Sequence, residues 1–172
     1  MKNKIHFIIT GGTIDSYYNG IKDTTEPLKI SVIPSFINSL KLYEGGVFTQ
    51  ICMKDSRALT TRDRKQILQT IEHSKQKRII ITHGTYTMPD TARFLQVHLT
   101  RKDQTIIVTG SMIPLTGFSP SDAPFHLGYA LAKAQELPAG IYVCMNGRIF
   151  SPEEIVKNLS EGRFASVFGE KK

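Results

Sequence analysis

Cysteine is scarce, with Cys52 and Cys144 the only two in 172 residues. No metal-type spacing joins them, so neither a cysteine metal centre nor a disulfide framework organises this chain. Both fall in apolar, strand-like runs, where a reduced thiol behaves as a small hydrophobe. Long hydrophobic runs are also lacking; none approaches the roughly 18 residues of a membrane span. The start, Met1-Lys2-Asn3-Lys4-Ile5, faintly resembles a secretory signal. Thr10-Gly11-Gly12 then breaks the apolar stretch, and no small-residue cleavage site follows, so a cytoplasmic protein is expected. There is no internal repeat and no low-complexity tract. The glycines after the first apolar run are not followed by Gly-Lys-Ser/Thr and do not complete a dinucleotide fingerprint. Nucleotide binding therefore has little support, and neither cofactor nor metal is expected.

Acidic residues are the minority charge, 15 Asp and Glu against 22 Lys and Arg, a formal net charge of +7. Basic side chains gather at Lys54, Arg57, Arg62, Arg64 and Lys65, and again at Lys75, Lys77 and Arg78. No aromatic residues interleave with them as a base-stacking platform requires, so a solvated helix surface over 60–78 is expected rather than a nucleic-acid face. Such a field still draws small anions toward the molecule. The length suits one domain with a sizeable core, and 40% apolar with 22% charged residues fits an ordinary globular protein.

What is present is repeated punctuation. Ile5–Ile9 ends in Thr10-Gly11-Gly12-Thr13, and Val47–Met53 leads into Asp55-Ser56-Arg57. Ile79–Ile81 ends in Thr82-His83-Gly84-Thr85, Ile106–Val108 in Thr109-Gly110-Ser111, and Ile141–Met145 in Asn146-Gly147. Strands are expected over 4–10, 47–53, 78–82, 105–109 and 140–145, the last three apolar enough to be covered on both faces. Helical stripes separate them over 31–43, 61–74, 89–100 and 121–137. Thr60 with Asp63, Thr87 with Asp90, and Ser121-Asp122-Ala123-Pro124 mark helix starts, and Ser151-Pro152-Glu153-Glu154 reads as a capping box opening a further helix. This alternation predicts an α/β domain with a doubly wound, mostly parallel sheet and helices on both faces. All five clusters then meet at the carboxyl edge, where open sheets bind ligands. Residues 14–30 are the one long polar stretch without a period, and a lid loop over that edge is expected.

Gly11-Gly12-Thr13 lets the backbone turn sharply and approach a ligand, though a purely structural turn has the same requirement. A threonine hydroxyl needs a base or a cation to become a nucleophile. Lys157, following the expected helix start at Ser151, would sit near a positive helix end that favours the neutral amine. By itself it also reads as a surface lysine. His83 is a candidate base or a packed histidine.

Taken in order, Thr10-Gly11-Gly12-Thr13-Ile14, Thr82-His83-Gly84-Thr85-Tyr86-Thr87-Met88, Thr109-Gly110-Ser111-Met112-Ile113-Pro114 and Asp122-Ala123-Pro124-Phe125 resemble the bacterial L-asparaginases with a threonine nucleophile. Met145-Asn146-Gly147-Arg148, Lys157 and the tail Glu161–Ser166 fit the same pattern. The resemblance covers nearly the whole chain but only the amino-terminal domain of the usual enzyme. It implies a short-chain, single-domain variety, residues 1–172 forming one asparaginase-like unit. It further implies hydrolysis of L-asparagine to L-aspartate and ammonia through a threonine acyl-enzyme. Thr13 is then the primary nucleophile, and Thr85 with Lys157 is the second threonine–lysine pair. Ser56 would hold the α-carboxylate, and backbone N–H groups near Thr13 and Thr85 would hold the oxyanion. The implied substrate contacts are Gly12, Asp55, Ser56, Arg57, Gly84, Tyr86 and Ser111.

Three positions depart from the family pattern. Tyr86 stands where an aspartate usually binds the α-ammonium, and a phenol supplies no negative charge at neutral pH. Either Asp55 substitutes, or affinity for the free amino acid falls, or a substrate with a blocked amine is preferred. Arg57 replaces a small or amide residue and is either a two-bond partner for the α-carboxylate or a solvated arginine. The tyrosine that assists the nucleophile has no match in spacing, and Tyr17 or Tyr18 takes that role. The family's smaller domain lends residues to a neighbouring subunit's site, so a lone domain is expected to form a homo-oligomer. Two other readings remain. One is a catalytically weak or inactive domain that binds a ligand or partner, against which stands the joint presence of Thr13, Thr85 and Lys157. The other is amide hydrolysis on a larger substrate.

Overall fold

The computed structural model describes residues 4–169; Met1-Lys2-Asn3, the signal-like opening, lie outside the described residues. The elements in chain order are β1 (Ile5–Gly11), β2 (Ser16–Asn19), β3 (Thr24–Pro27), α1 (Ile33–Ser39), β4 (Gly46–Lys54), α2 (Thr61–His73) and β5 (Arg78–Thr82). They continue with α3 (Met88–His98), β6 (Thr105–Thr109), α4 (Ala123–Glu136), β7 (Gly140–Met145), β8 (Arg148–Phe150), β9 (Ile155–Asn158) and β10 (Arg163–Ser166). The main sheet has the order β4-β1-β5-β6-β7-β8. Its first five strands are parallel and β8 is antiparallel to β7. The five parallel strands and four principal helices are the ones the hydrophobic pattern predicts.

The strands alternate their isoleucines between two cores. Ile8, Ile79, Ile81, Ile106, Val108 and Val143 pack under α2 and α3, with Ile67, Ile71, Ala92 and Leu95 descending from those helices. Phe7, Ile9, Ile80, Ile107 and Cys144 pack on the other face under α1 and α4, against Ile33, Ile37, Leu127 and Ala130. The side-chain period of two sends Ile80 and Ile81 to opposite faces, so these strands are apolar throughout. Truncating one such isoleucine to alanine costs about 2–5 kcal/mol. Cys52 and Cys144 are free, and burial pushes their thiols up to about 11 and about 12, so neither is a nucleophile near neutral pH.

From β1 the chain crosses to β4 on one side and then returns past β1 to β5. β1 and β5 therefore flank the topological switch point, where the carboxyl ends of an open sheet leave a crevice. The connection from β6 through α4 to β7 runs in the same direction as that from β5 through α3 to β6, yet on the opposite face. It has the opposite hand to the other three crossovers, an uncommon arrangement. To reach that face, residues 110–122 cross the strand ends beside Thr13, where the Leu115 N–H donates to the Ile14 carbonyl (3.1 Å).

Three expectations are corrected. Residues 14–30 are not one irregular loop: a 3-10 turn (Thr13–Asp15) leads into the antiparallel β2–β3 hairpin. Its mostly exposed, polar strands bury too little to leave a hydrophobic period in the sequence. Second, Ser151–Glu154 opens no helix. One half of the box forms, the Ser151 N–H donating to Glu154 Oε1 (2.8 Å). Glu154 is then held by β10 instead, accepting from Ser166 Oγ (3.0 Å) and, at its carbonyl, from the Val167 N–H (2.7 Å). The β-branched Ile155-Val156 pair continues as strand β9, with Ile155 in the core. Third, Asn146-Gly147 forms the two-residue turn between β7 and β8, both residues at positive φ (53° and 71°). That is the Asn-Gly hairpin geometry, and it removes this pair from the list of ligand-facing ends.

Candidate active site

Three loops leaving β1, β4 and β5 touch backbone to backbone. A Cβ on Gly12 (φ +82°) would lie 2.4 Å from the Cα and N of Gly84, and one on Gly84 would lie 2.7 Å from Ser56 Cβ. Glycine is needed here because two main chains converge and because only glycine holds the Gly12 backbone without strain. Thr13 and Thr85 each follow one residue after this contact, which brings the two threonine loops side by side.

Lys157 closes the cluster from β9. Its Nζ donates to Thr85 Oγ1 at 2.7 Å. Strand alternation sets this direction, since Ile155 is buried on the same side of β9 and Val156 points out. Arg93 of α3 fixes the strand by donating to the Ile155 carbonyl (2.6 Å). Lys157 thus lies on a strand, not at a helix amino end, and helix polarity does not lower its pKa. Desolvation, followed by the Arg57 charge, holds the ammonium below its ordinary value, with Asp55 opposing. An amine moved this way spends more time neutral and can take the proton of the hydroxyl it touches.

Tyr86 fronts this pair. Lys157 Nζ sits 4.1 Å from its ring centroid and Arg57 Cζ 4.6 Å. Arg57 is exposed, and its guanidinium is turned onto its own loop. Its Nε and Nη2 donate to the two oxygens of Asp55 at 3.0 and 2.9 Å. The guanidinium holds the Asp55 carboxyl below the usual range. Ser56 is buried; its Oγ accepts the Thr87 N–H (3.3 Å) and its carbonyl accepts the Thr87 hydroxyl (2.8 Å). The Ser56 proton remains available for donation, since a hydroxyl both donates and accepts. Thr87 is therefore tied to the Ser56 loop and does not cap α3 through its side chain.

Thr13 lines a cleft of about 290 Å3 with Thr25 of the hairpin and with Met112, Pro114, Phe118 and Pro120 of the crossing segment. Three larger clefts, about 550, 740 and 400 Å3, lie beside His6 and His73, beside Lys4 and Arg78, and beside Asn146 and Arg163. None is lined by Thr13, Thr85 or Lys157, so the chemistry favours the strand ends over the larger volumes. In the hairpin, Tyr17 donates to Glu26 (3.2 Å) and Tyr18 to Asp23 (2.5 Å), so both phenols are committed to hairpin carboxylates. Ser111 is fully buried and donates to the Ile113 carbonyl (2.5 Å). Thr10 and Thr109 also turn inward, donating to the carbonyls of Thr82 and Cys144 (2.9 and 2.8 Å). Of the hydroxyls that crowd the strand ends in the sequence, these three serve the fold.

His83 is a packed histidine. Its Nδ1 faces the Gly84 carbonyl (2.7 Å) and its Nε2 the Thr91 hydroxyl (2.9 Å). The carbonyl requires a proton on Nδ1, so Nε2 accepts from Thr91. Burial lowers its pKa to about 4. Arg64 Nε donates to the same Thr91 oxygen (3.3 Å), completing a chain that ends on Gly84. His126 has a matching role, bridging the Gly110 carbonyl (3.0 Å) and the Asn146 N–H (3.0 Å). Thr91, Arg93 and His126 belong to none of the motifs legible in the sequence. Thr91 is signalled only by its place on the inner face of a helix eight residues after His83, and Arg93 by nothing local.

Among the described residues no group of three or more His, Cys, Asp or Glu could hold a metal ion, and no helix is long and apolar enough to cross a membrane. Residues 4–167 match the family model described as Asparaginase, N-terminal. A glutaminase-asparaginase of Acinetobacter glutaminasificans is 30% identical over 98% of this chain and 54% of its own length. The L-asparaginase of Thermococcus kodakarensis superposes with a TM-score of 0.77 at 27% identity, over 95% of this chain and 51% of that one. L-asparaginase I of Vibrio cholerae shares the fold, with a TM-score of 0.84 at 24% identity, over 96% of this chain and 52% of its own. The chain thus spans about half the length of the relatives it matches.

Proposed function

Because the chain belongs to the asparaginase N-terminal family, we propose that it is an amidohydrolase that converts L-asparagine to L-aspartate and ammonia through a threonine acyl-enzyme. The observation that carries the reading is the 2.7 Å contact between Lys157 Nζ and Thr85 Oγ1. A lysine partly withdrawn from water and bonded to a buried threonine carries a desolvation cost, and groups perturbed in this way cluster at functional sites.

Thr13 attacks the side-chain amide carbon, and its proton leaves with the departing ammonia. Neutral Lys157 accepts a proton through Thr85 and readies water for the second step, in which the acyl–threonine ester is cleaved to carboxylate and Thr13 is restored. The backbone N–H groups of Thr13 and Thr85, set side by side by the Gly12–Gly84 contact, are the donors assigned to the oxyanion. Ser56 and Gly84 shape the floor beneath the substrate. Tyr17 or Tyr18 assists Thr13 only by exchanging its hairpin carboxylate for the nucleophile, a rotation within reach of exposed side chains.

The test is ammonia release from L-asparagine by the wild type, Thr13→Ala and Lys157→Met. Turnover by the wild type and its loss in both variants support the reading. Turnover that survives Lys157→Met removes the threonine–lysine pair from it, and no turnover by the wild type removes L-asparagine as the substrate.

A further inference from the structure

Charge at the mouth of the site bears on which amide enters. Among the described residues, the charged groups that act on Lys157 are Arg57 and Asp55. Both Asp55 oxygens are taken by the Arg57 fork, at 3.0 and 2.9 Å, and the Asp55 Oδ1 also accepts the Arg57 N–H at 2.8 Å. The carboxylate that acts on Lys157 at this corner is thus engaged at both oxygens by its own neighbour, in an ion pair open to solvent. The other groups at the Tyr86 ring are Arg57 and Lys157 themselves. Lys157, neutral or protonated, adds no negative charge. A substrate ammonium placed here would meet a guanidinium and an amine with no free anion to receive it, and unlike a carboxylate it would gain nothing from their donors. A neutral acyl group meets something else. About half of the Tyr86 surface is open to solvent, an aromatic face bordered by donors.

We propose that this site selects an asparagine whose α-nitrogen is acylated, a monoanion with a free carboxylate and no ammonium, and that Arg57, by occupying Asp55, sets the preference. The reading rests on the amidohydrolase activity proposed above and names its substrate class. The acyl group lies on the Tyr86 ring, the carboxylate takes the Ser56 hydroxyl, and the side-chain amide is hydrolysed as before, with water consumed and ammonia released. Arg57 is a positioning residue here, acting through Asp55. Opening the ion pair frees a carboxylate for an ammonium.

The experiment compares kcat/KM for N-acetyl-L-asparagine and L-asparagine in the wild type and in Arg57→Gln, by ammonia release. The wild type is expected to favour the acetylated substrate at least tenfold, and Arg57→Gln to lower that ratio at least tenfold, chiefly by lowering KM for L-asparagine. Equal or better use of L-asparagine by the wild type overturns the inference and leaves the amidohydrolase standing. An unchanged ratio in Arg57→Gln overturns the role of the ion pair. If neither substrate releases ammonia the activity falls, and product binding decides the inference alone. N-acetyl-L-aspartate must then raise the melting temperature of the wild type more than L-aspartate does, with that margin narrowed or reversed in Arg57→Gln. Any other order, or no shift with either, overturns it.

Discussion

Gly12 and Gly84 stand so close that a methyl group on the first would fall 2.4 Å from the backbone of the second. This contact at the switch point between β1 and β5 sets Thr13 beside Thr85, and it makes the site sensitive to the smallest side chain. Gly12→Ala adds a left-handed backbone penalty to a backbone clash that no rotamer relieves. We expect a loss on the order of 3 kcal/mol and a melting temperature lower by roughly 10 °C, together with loss of activity. Gly20→Ala is the control. Its Cβ would meet only a Tyr18 ring carbon at 3.7 Å, and thermal unfolding should barely move.

Lys157→Met removes a partly buried amine but keeps its length and apolar stem. Activity on L-asparagine should fall roughly a thousandfold, the scale of a lost general base. The melting temperature should hold or rise, because the variant relieves a desolvated charge. A fold-wide loss of structure by circular dichroism would assign Lys157 to stability instead.

The pH profile should carry the signature of the Lys157 neighbours. Its pKa is depressed by desolvation and then by Arg57, and is opposed by Asp55. The neutral amine is the working form, so kcat/KM rises with pH through the Lys157 titration, at a pH below that of an ordinary lysine. Arg57→Gln removes a depressing charge and shifts this limb to higher pH. Asp55→Asn removes an opposing charge and shifts it lower. Two shifts of the same sign would exclude Lys157 as the titrating group.

His83 gives the fold an acid weakness. Its pKa falls from 6.5 to about 4 on burial. Between those values the unfolded chain holds a proton that the folded chain does not, so stability declines as pH drops from 6.5 toward 4. This one group accounts for roughly 3 kcal/mol over the window. Urea unfolding of His83→Gln should show a shallower decline over that range. The slope that remains belongs to groups such as His6 and His126, whose pKa values burial also lowers.

The layered core and the carboxyl edge that carries the site are written in the local pattern of the chain. Runs such as Ile79–Ile81 and Ile106–Val108, short, β-branched and followed by small polar residues, suit strands buried on both faces, and the helical stripes between them favour parallel order. That is why the five parallel strands, the four helices and the threonine clusters were legible from local pattern. Tertiary structure alone decided which polar groups face a ligand. Thr10, Thr109 and Ser111 look like Thr13 and Thr85 in sequence, but neighbouring carbonyls claim their protons. The Ser151–Glu154 box gives a local helix signal, yet β10 offers Glu154 and Ile155 a better partner, and Lys157 reaches Thr85 from a strand. The ion pair that takes Asp55 out of use joins residues two apart, yet only its geometry against Tyr86 shows what it withholds from the site. Hydrophobic period is a property of each segment and is written into it. Hydrogen-bond partners at strand ends come from segments far apart in the chain, and only the folded contacts choose among them.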